Sequence, residues 1–479
     1  MSHPFDRYSD VTDVAALKEF SDMPLRKCIR VNTFKLSVDD FKSYSKEHKW
    51  NIEPVLWCKE GFFLDREDRS IPLGKDMLHL LGATYMQEAS SMLPVALLDP
   101  QPGEIVLDMA AAPGSKSTQI AARMNGQGVL VANDMQEIRI KTLRDALHRL
   151  GVINVIITKK MGQWFGKEMV GRFNRVLIDA PCTGQGTARK DADALKYSSE
   201  HSVGKNAKLQ RELIEAAVHA TKIGGRIVYS TCTLTPEENE EVVLSVLKKF
   251  ERQVEVVDPR EGVGVGGRAW EMDKAIEDSY AVQQSLCPTP NALHPFLRLW
   301  PQTYNTEGFF CAVLKKTKPT AEPIRNAAIK QKESIFPESR EREVEKYLES
   351  QFGMSFINED EILLQEEERL TIVPKKLLKF PLPTRNVGIG MPFGRIVRSE
   401  PVILDHDIAT LRGEAATKGV IDLSDEQWSD LMSGKDIDCS KDLLGHVLLR
   451  YNGRCVGKGR AREGRCKNHL PRWMVQMSQ

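Results

Sequence analysis

The sequence predicts an α/β protein built on a Rossmann-like, doubly wound sheet, with a small α/β unit before it and a β-rich region after it. Three observations lead there. Between about residue 100 and residue 317, short apolar runs alternate with helical stretches of about 10 to 15 residues, the pattern of a parallel sheet with crossover helices. The turns after these runs carry Gly, Pro and acidic residues, where ligands sit in such sheets. Beyond a charged, Pro-containing stretch the periodicity changes to short strands joined by turns such as Asn452-Gly453.

Taken in order, residues 1–90 form the first unit. Helical spacing over 39–50 puts Phe41 and Tyr44 on one face, and 29–32 and 61–64 read as strands. The second unit spans 91–317. Its strands fall at 105–108, 129–132, 155–157 and 175–178, with a helix over 136–150. A helix over 208–222 leads through Gly224-Gly225 into a fifth strand at 226–229. Another helix follows Pro236, its first turn carrying Glu237 and Glu238 where the helix dipole favours them. Residues 309–314 close the series. The stretch 318–345 reads as a linker and 346–479 as the last region. Gly262 to Gly267 imitates a phosphate loop, but no strand leads into it with a helix behind, so a plain loop is expected.

Totals exclude several classes. With 41% apolar and 28% charged residues, the 479-residue chain is an ordinary globular protein. No apolar run is long enough to span a membrane and the first residues are not a signal peptide, so the cytoplasm is the expected address, with no membrane partner. Nine cysteines, an odd number without C-x-x-C spacing, argue against a disulfide framework or a metal site.

The turn after the first strand, Asp108-Met109-Ala110-Ala111-Ala112-Pro113-Gly114-Ser115-Lys116-Ser117, is the candidate cofactor loop. Small residues let a ligand approach the backbone, and a helix starting near Thr118 offers its N-terminus, with Lys116, to a carboxylate. Asp134, ending the second strand, is placed to accept ribose hydroxyls. Ser115 between Gly114 and Lys116 rules out a Walker loop, and no G-x-G-x-x-G is present here. The fourth strand ends in Asp179-Ala180-Pro181-Cys182 and the fifth in Ser230-Thr231-Cys232-Thr233. These strands are neighbours in this topology, so both cysteines are expected at one sheet edge, beside the cofactor loop.

These motifs resemble the RNA cytosine-5 methyltransferase family (the NOL1/NOP2/Sun group). The likeness rests on 108–118, Asp179-Ala180-Pro181-Cys182, Ser230-Thr231-Cys232-Thr233, Tyr85-Met86-Gln87-Glu88-Ala89-Ser90-Ser91 and Glu307-Gly308-Phe309-Phe310, spanning about 30 to 315. It implies S-adenosyl-L-methionine as cofactor, held by Ala110, Ala111, Ala112, Pro113, Gly114, Ser115, Lys116, Asp134 and Asp179. It also implies Cys232 as nucleophile, Cys182 assisting product release and Asp179 contacting the base, roles that spacing alone does not rank. Two departures stand out. Lys159-Lys160-Met161-Gly162 lacks the acidic residue that usually contacts adenine, and Tyr197 stands where the family has Trp.

Arg450, Arg454, Lys458, Arg460, Arg462, Arg465, Lys467 and Arg472 crowd the end of the chain with only Glu463 among them. With Trp473 they suit contact with a phosphate backbone. The segment Gly457-Lys458-Gly459 to Lys467-Asn468-His469-Leu470-Pro471 resembles the PUA-like region of one type in this family, and Arg30-Val31-Asn32-Thr33 its N-terminal RNA-binding extension. That implies a cytosine in the decoding region of 16S rRNA, presented on the small ribosomal subunit, as substrate; a monomer is expected. The same chemistry on tRNA, and a catalytically inactive ribosome-assembly factor, are the rival readings.

Overall fold

The computed structural model describes residues 3–260, 269–286, 293–321 and 331–475. The glycine run 262–267 and Cys287 lie outside the described residues. Two compact units emerge: one of residues 1–69, 84–143 and 157–327, the other of 70–83, 144–156 and 328–479.

The first unit opens with an antiparallel sheet of β1 (Cys28–Val31), β2 (Trp50–Val55), β3 (Cys58–Arg66) and β4 (Thr84–Met86), in the order β2-β3-β1-β4. The helix expected over 39–50 runs Val38–Glu47, capped by Ser37, whose hydroxyl accepts from the Asp40 amide. It stops early because Lys49 turns to φ 54 and Trp50 pairs with Arg66 in β2. Phe41 faces inward, its ring 5.3 Å from Phe62.

The large sheet contains β5 (Ile105–Asp108), β6 (Val129–Asn133), β7 (Val155–Thr158), β8 (Phe173–Asp179), β9 (Thr221–Thr231), β10 (Val254–Val256), β11 (Leu297–Leu299) and β12 (Phe309–Lys316). Their order is β10-β12-β9-β8-β5-β6-β7, with β11 on β12. Val106, Leu107, Val131, Val176, Leu177, Ile227 and Val228 have no exposed surface. Apolar runs rather than alternation are what burial on both faces demands. Parallel pairing joins β5 to β6 and β8, and β8 to β9. The closing strand β12 instead lies antiparallel to β9, which an apolar run cannot announce because it carries no direction. The chain order reverses between β5 and β8, and ligands bind outside the carboxyl ends of strands at such a point.

Helix α1 (Ser115–Arg123) follows β5 directly. Helix α2 (Glu200–Ala220) begins earlier than the expected 208 because Ser199 caps it, and ends where β9 starts at Thr221. The expected helix after Pro236 is split into a turn, Pro236–Glu238, and helix α3 (Glu240–Lys249). Arg298 on β11 and Glu240 on α3 form an ion pair with no exposed surface, and Arg298 also donates to the Leu234 carbonyl at 2.8 Å.

In the second unit, an antiparallel sheet runs Ser334–Ile335, Glu361–Glu366, Arg369–Pro374, Met391–Arg395 and Ile403–Leu404. The stretch expected as a linker, 318–345, therefore already contains a strand and the start of helix Glu338–Phe352. Only Val344, Leu348 and Phe352, spaced by four, are buried on this highly charged helix, a stripe too thin to outweigh its composition in sequence. A second sheet orders Val420–Asp422, Gly445–Tyr451, Arg454–Arg462, Arg465–Asn468 and Ile437–Asp438. Asn452 and Gly453, both at positive φ, make its hairpin turn. Among the described residues, no helix is long and apolar enough to cross a membrane, and no group of three or more metal-ligating side chains is found.

Candidate active site

The cofactor loop is held by backbone bonds to both neighbouring strands. Met109 donates to the Leu177 carbonyl at 3.0 Å and Ala111 to Asn133 at 2.7 Å, while Asn133 returns its amide to the Met109 carbonyl. Gly114 sits at φ 110, a region costly for any residue with a Cβ, and starts α1 without a side-chain cap. The first-turn N–H groups therefore face the loop with no side-chain acceptor. Ala111 and Ala112 are buried, Pro113 is exposed, and Ala110 and Ser115 are intermediate.

Helix α1 starts at Ser115 rather than near Thr118, so Lys116 lies in its first turn and points inward. Its ammonium donates to Asp179 Oδ2 at 2.7 Å and to Ser91 Oγ at 2.9 Å, which occupies the group expected to meet a carboxylate ligand. Burial pulls the Lys116 pKa down, but the Asp179 carboxylate outweighs it and the net shift is upward. Asp108 accepts from Ser117 at 2.6 Å through Oδ2, whereas its buried Oδ1 has no partner. Burial, reinforced by the Asp179 charge, raises its pKa to about 7 despite that hydrogen bond. Asp134 is buried at the end of β6, accepting from the Ala112 and Gln136 amides. Met161, where an acid is usual, is 59% exposed.

The ends of β8 and β9 are in register, Asp179 opposite Ser230, and Ser230 donates to Asp179 Oδ1 at 2.9 Å. Just beyond, the Sγ atoms of Cys182 and Cys232 lie 3.4 Å apart, both partly exposed. Their mutual contact, and then burial, push the Cys182 thiol well above its ordinary pKa. The remaining described cysteines are buried apart from Cys439, so this is the one pair of neighbouring thiols among the described residues with both sulfur-bearing residues partly exposed. Gly186 wedges the arrangement: its N–H donates to the Cys232 carbonyl and its carbonyl accepts from Gly308, both at 2.9 Å. Lys116, Asp179, Ser230 and the two thiols are thus one constellation at the switch point of the sheet.

Two groups escaped the reading of the sequence. Glu88 accepts from the Ser91 and Glu307 amides, and burial, then the Glu88 charge, raise Glu307 to about 7. Both acids lie in the motifs noted above, but nothing local says that they meet. Glu238, expected in the first turn of a helix, lies in the turn before it, points inward and is fully buried.

Three family descriptions match the chain. The description 16S rRNA methyltransferase RsmB/F covers residues 95–315, the N-terminal domain of 16S rRNA methyltransferase RsmF covers 8–89, and the methyltransferase RsmF PUA domain covers 418–476. Ribosomal RNA small subunit methyltransferase F of Psychromonas ingrahamii is 37% identical over 464 residues, 95% of this chain and 92% of that one. The protein of the same name from Aeromonas hydrophila is 37% identical over 460 residues, with the same coverage. The chain belongs to the RsmF type of 16S rRNA methyltransferase. Among solved structures, a methyltransferase homolog from Pyrococcus horikoshii is 35% identical, with a TM-score of 0.54 over 65% of this chain and 94% of that one. NSun6 from the same organism, at 20% identity and TM-score 0.54, shares the fold over 66% of this chain and 98% of that one.

Membership in the RsmF type makes this chain a ribosomal RNA methyltransferase and implies a donor of the S-adenosylmethionine type. The loop fits one: an unpartnered buried carboxylate oxygen on Asp108, an uncapped helix start at Gly114 and the acidic end of β6. The basic end of the RsmF-type PUA domain differs from the sequence reading. Arg450 pairs with Asp422, Arg454 with Glu414, Arg462 with Glu463 and Arg465 with Asp438. Asp422 and Asp438 come from neighbouring strands, opposite Arg450 and Arg465, so the local sequence shows only Glu463.

Proposed function

We propose that the chain methylates carbon 5 of a cytosine in the decoding region of 16S rRNA, on the small subunit, as a cytoplasmic monomer. The observation that carries this reading is the pair of partly exposed thiols, 3.4 Å apart, beside the Lys116–Asp179 pair. Residues 110–116 and Asp134 hold S-adenosyl-L-methionine, which supplies the electrophilic methyl group when bound. Carbon 5 of cytosine is a poor nucleophile. Cys232, as thiolate, adds to carbon 6 and turns carbon 5 into an enamine-like centre, splitting one hard step into easier ones. Asp179, fixed by Lys116 and Ser230, accepts a hydrogen bond from N3 of the adduct once N3 carries the proton given up by the Cys232 thiol, and so stabilises it. After methylation a base removes the carbon 5 proton and the Cys232–carbon 6 bond breaks. Cys182, held as a neutral thiol, assists that release. The N-terminal sheet and the basic end of the PUA domain hold the RNA, and a target base inside a helix must first swing out.

The test is incubation with labelled donor and either purified small subunits or bulk tRNA, followed by mapping of the modified base. Cys232→Ala should abolish transfer, and Cys182→Ala should accumulate a protein–RNA complex that survives denaturing gels. Labelling of tRNA alone would refute the ribosomal substrate, and normal turnover by Cys232→Ala would refute the mechanism.

A further inference from the structure

Cys182 is held by a buried carboxylate, directly through Thr183 on one side and by way of Gln210 on the other. Glu238, in the turn Pro236–Glu238, accepts through Oε1 from the Thr183 amide and from Gln210 Nε2, each at 3.0 Å. Its Oε2 accepts from Thr235 Oγ1 at 2.7 Å and from the Thr183 hydroxyl. Gln210 Nε2 also donates to the Pro181 carbonyl at 2.8 Å, so the residues before and after Cys182 are both anchored. On the other loop, Thr233, which follows Cys232, places its hydroxyl 2.9 Å from that of Thr183. Tyr229 of β9 donates to the Glu238 carbonyl at 2.5 Å. A carboxylate has about four acceptor positions, and four donors fill them here. No exposed surface on Glu238 leaves solvent to replace them.

We infer that Glu238 is a positioning residue whose carboxylate ties the loop of Cys182 to the turn after Cys232 and so sets the spacing of the two sulfurs. This role takes its catalytic meaning from the two-thiol mechanism proposed above. The spacing itself is independent of that mechanism. Glutamine in its place would turn an NH2 group toward donors, so this near-isosteric change breaks the tie.

The experiment compares the full-length chain with Glu238→Gln and with Thr183→Val, which keeps the carboxylate and removes one donor. Diamide closes neighbouring thiols: each sulfur gives up a proton and an electron to the azo group, which becomes a hydrazine, and a Cys182–Cys232 disulfide forms. Its rate, read by peptide mass spectrometry, should fall about tenfold or more in Glu238→Gln and less in Thr183→Val, because closure depends on effective concentration. In methyl-transfer assays kcat should fall at least about tenfold, with KM for the donor within about twofold, as expected for misplaced reacting groups rather than lost binding. Either variant, folded, with wild-type closure and wild-type kcat overturns the inference. Should Glu238→Gln fail to fold, Thr183→Val decides alone. Slowed closure in a protein whose wild type leaves cytosine unmethylated would uphold the tie and refute the proposed reaction.

Discussion

Replacing Gly186 by Ala tests how tightly Cys232 is placed. A Cβ there would lie 2.2 Å from the Gly308 carbonyl oxygen and 2.7 Å from that of Cys232, where real Cβ contacts essentially never fall below 3.0 Å. The shortfall is about 0.8 Å on one side and about 0.3 Å on the other, in an interior packed as densely as a crystal. Both obstacles are backbone atoms, so no side chain can swing aside. The two hydrogen bonds that Gly186 makes with Cys232 and Gly308 must lengthen. Each is worth about 0.5–1.5 kcal/mol, and overpacking adds about 1–3 kcal/mol, so a loss of roughly 2–6 kcal/mol is expected. The Cys232 carbonyl must give by about 0.3 Å and that of Gly308 by about 0.8 Å; since a misplacement of about 1 Å can lower a rate about 100-fold, a loss of turnover of roughly fourfold or more is expected. Thermal melting and labelled methyl transfer to small subunits, measured on the same preparation, check both parts. An alanine variant melting and turning over within twofold of wild type would refute the wedge.

Two further outcomes follow. Asp108 has its pKa raised from 3.8 to about 7, so the folded state holds the proton more tightly than the unfolded chain does. Its contribution is fully favourable below about pH 4, is lost as pH rises to about 7 and stays flat above. Asp108→Asn should therefore melt progressively higher relative to wild type as pH rises from 4 to 7. A pH-independent difference between the two melting temperatures would exclude the shift. At the basic end, Arg460, Lys467 and Arg472 are exposed. Replacing all three with Gln should flatten the salt dependence of RNA binding by about two units of slope, since each contact with single-stranded RNA contributes about 0.7. An unchanged slope would show that these side chains do not meet phosphate.

How much of this was legible in the sequence depends on how local each signal is. Val106-Leu107 and Val176-Leu177 announce buried strands because both faces of the sheet are covered, and the punctuation after them marks the strand ends. Strand order follows from right-handed crossovers, so Cys182 and Cys232 could be expected at one edge from the chain alone. The direction of β12 could not, because an apolar run looks the same either way. Nor could the partners of Lys116, which is separated from Asp179 by 63 positions, or the acids opposite Arg450 and Arg465, which come from other strands. Glu238 shows the limit most clearly. An acid after Pro236 suits a helix start in any context, and only the third dimension reveals four donors converging on it.

The cluster of Phe5, Tyr8, Leu17, Leu234, Val282 and Trp300 carries a consequence for synthesis. Tyr8 also donates to Gln185 at 2.5 Å, so the beginning of the chain buttresses the segment that follows Cys182. During synthesis Phe5, Tyr8 and Leu17 must therefore wait for their packing partners near position 300, about 15 to 60 s at roughly 5–20 residues per second. For that interval the apolar segment from Phe5 to Leu17 is on offer to chaperones, although it ends up supporting the active centre.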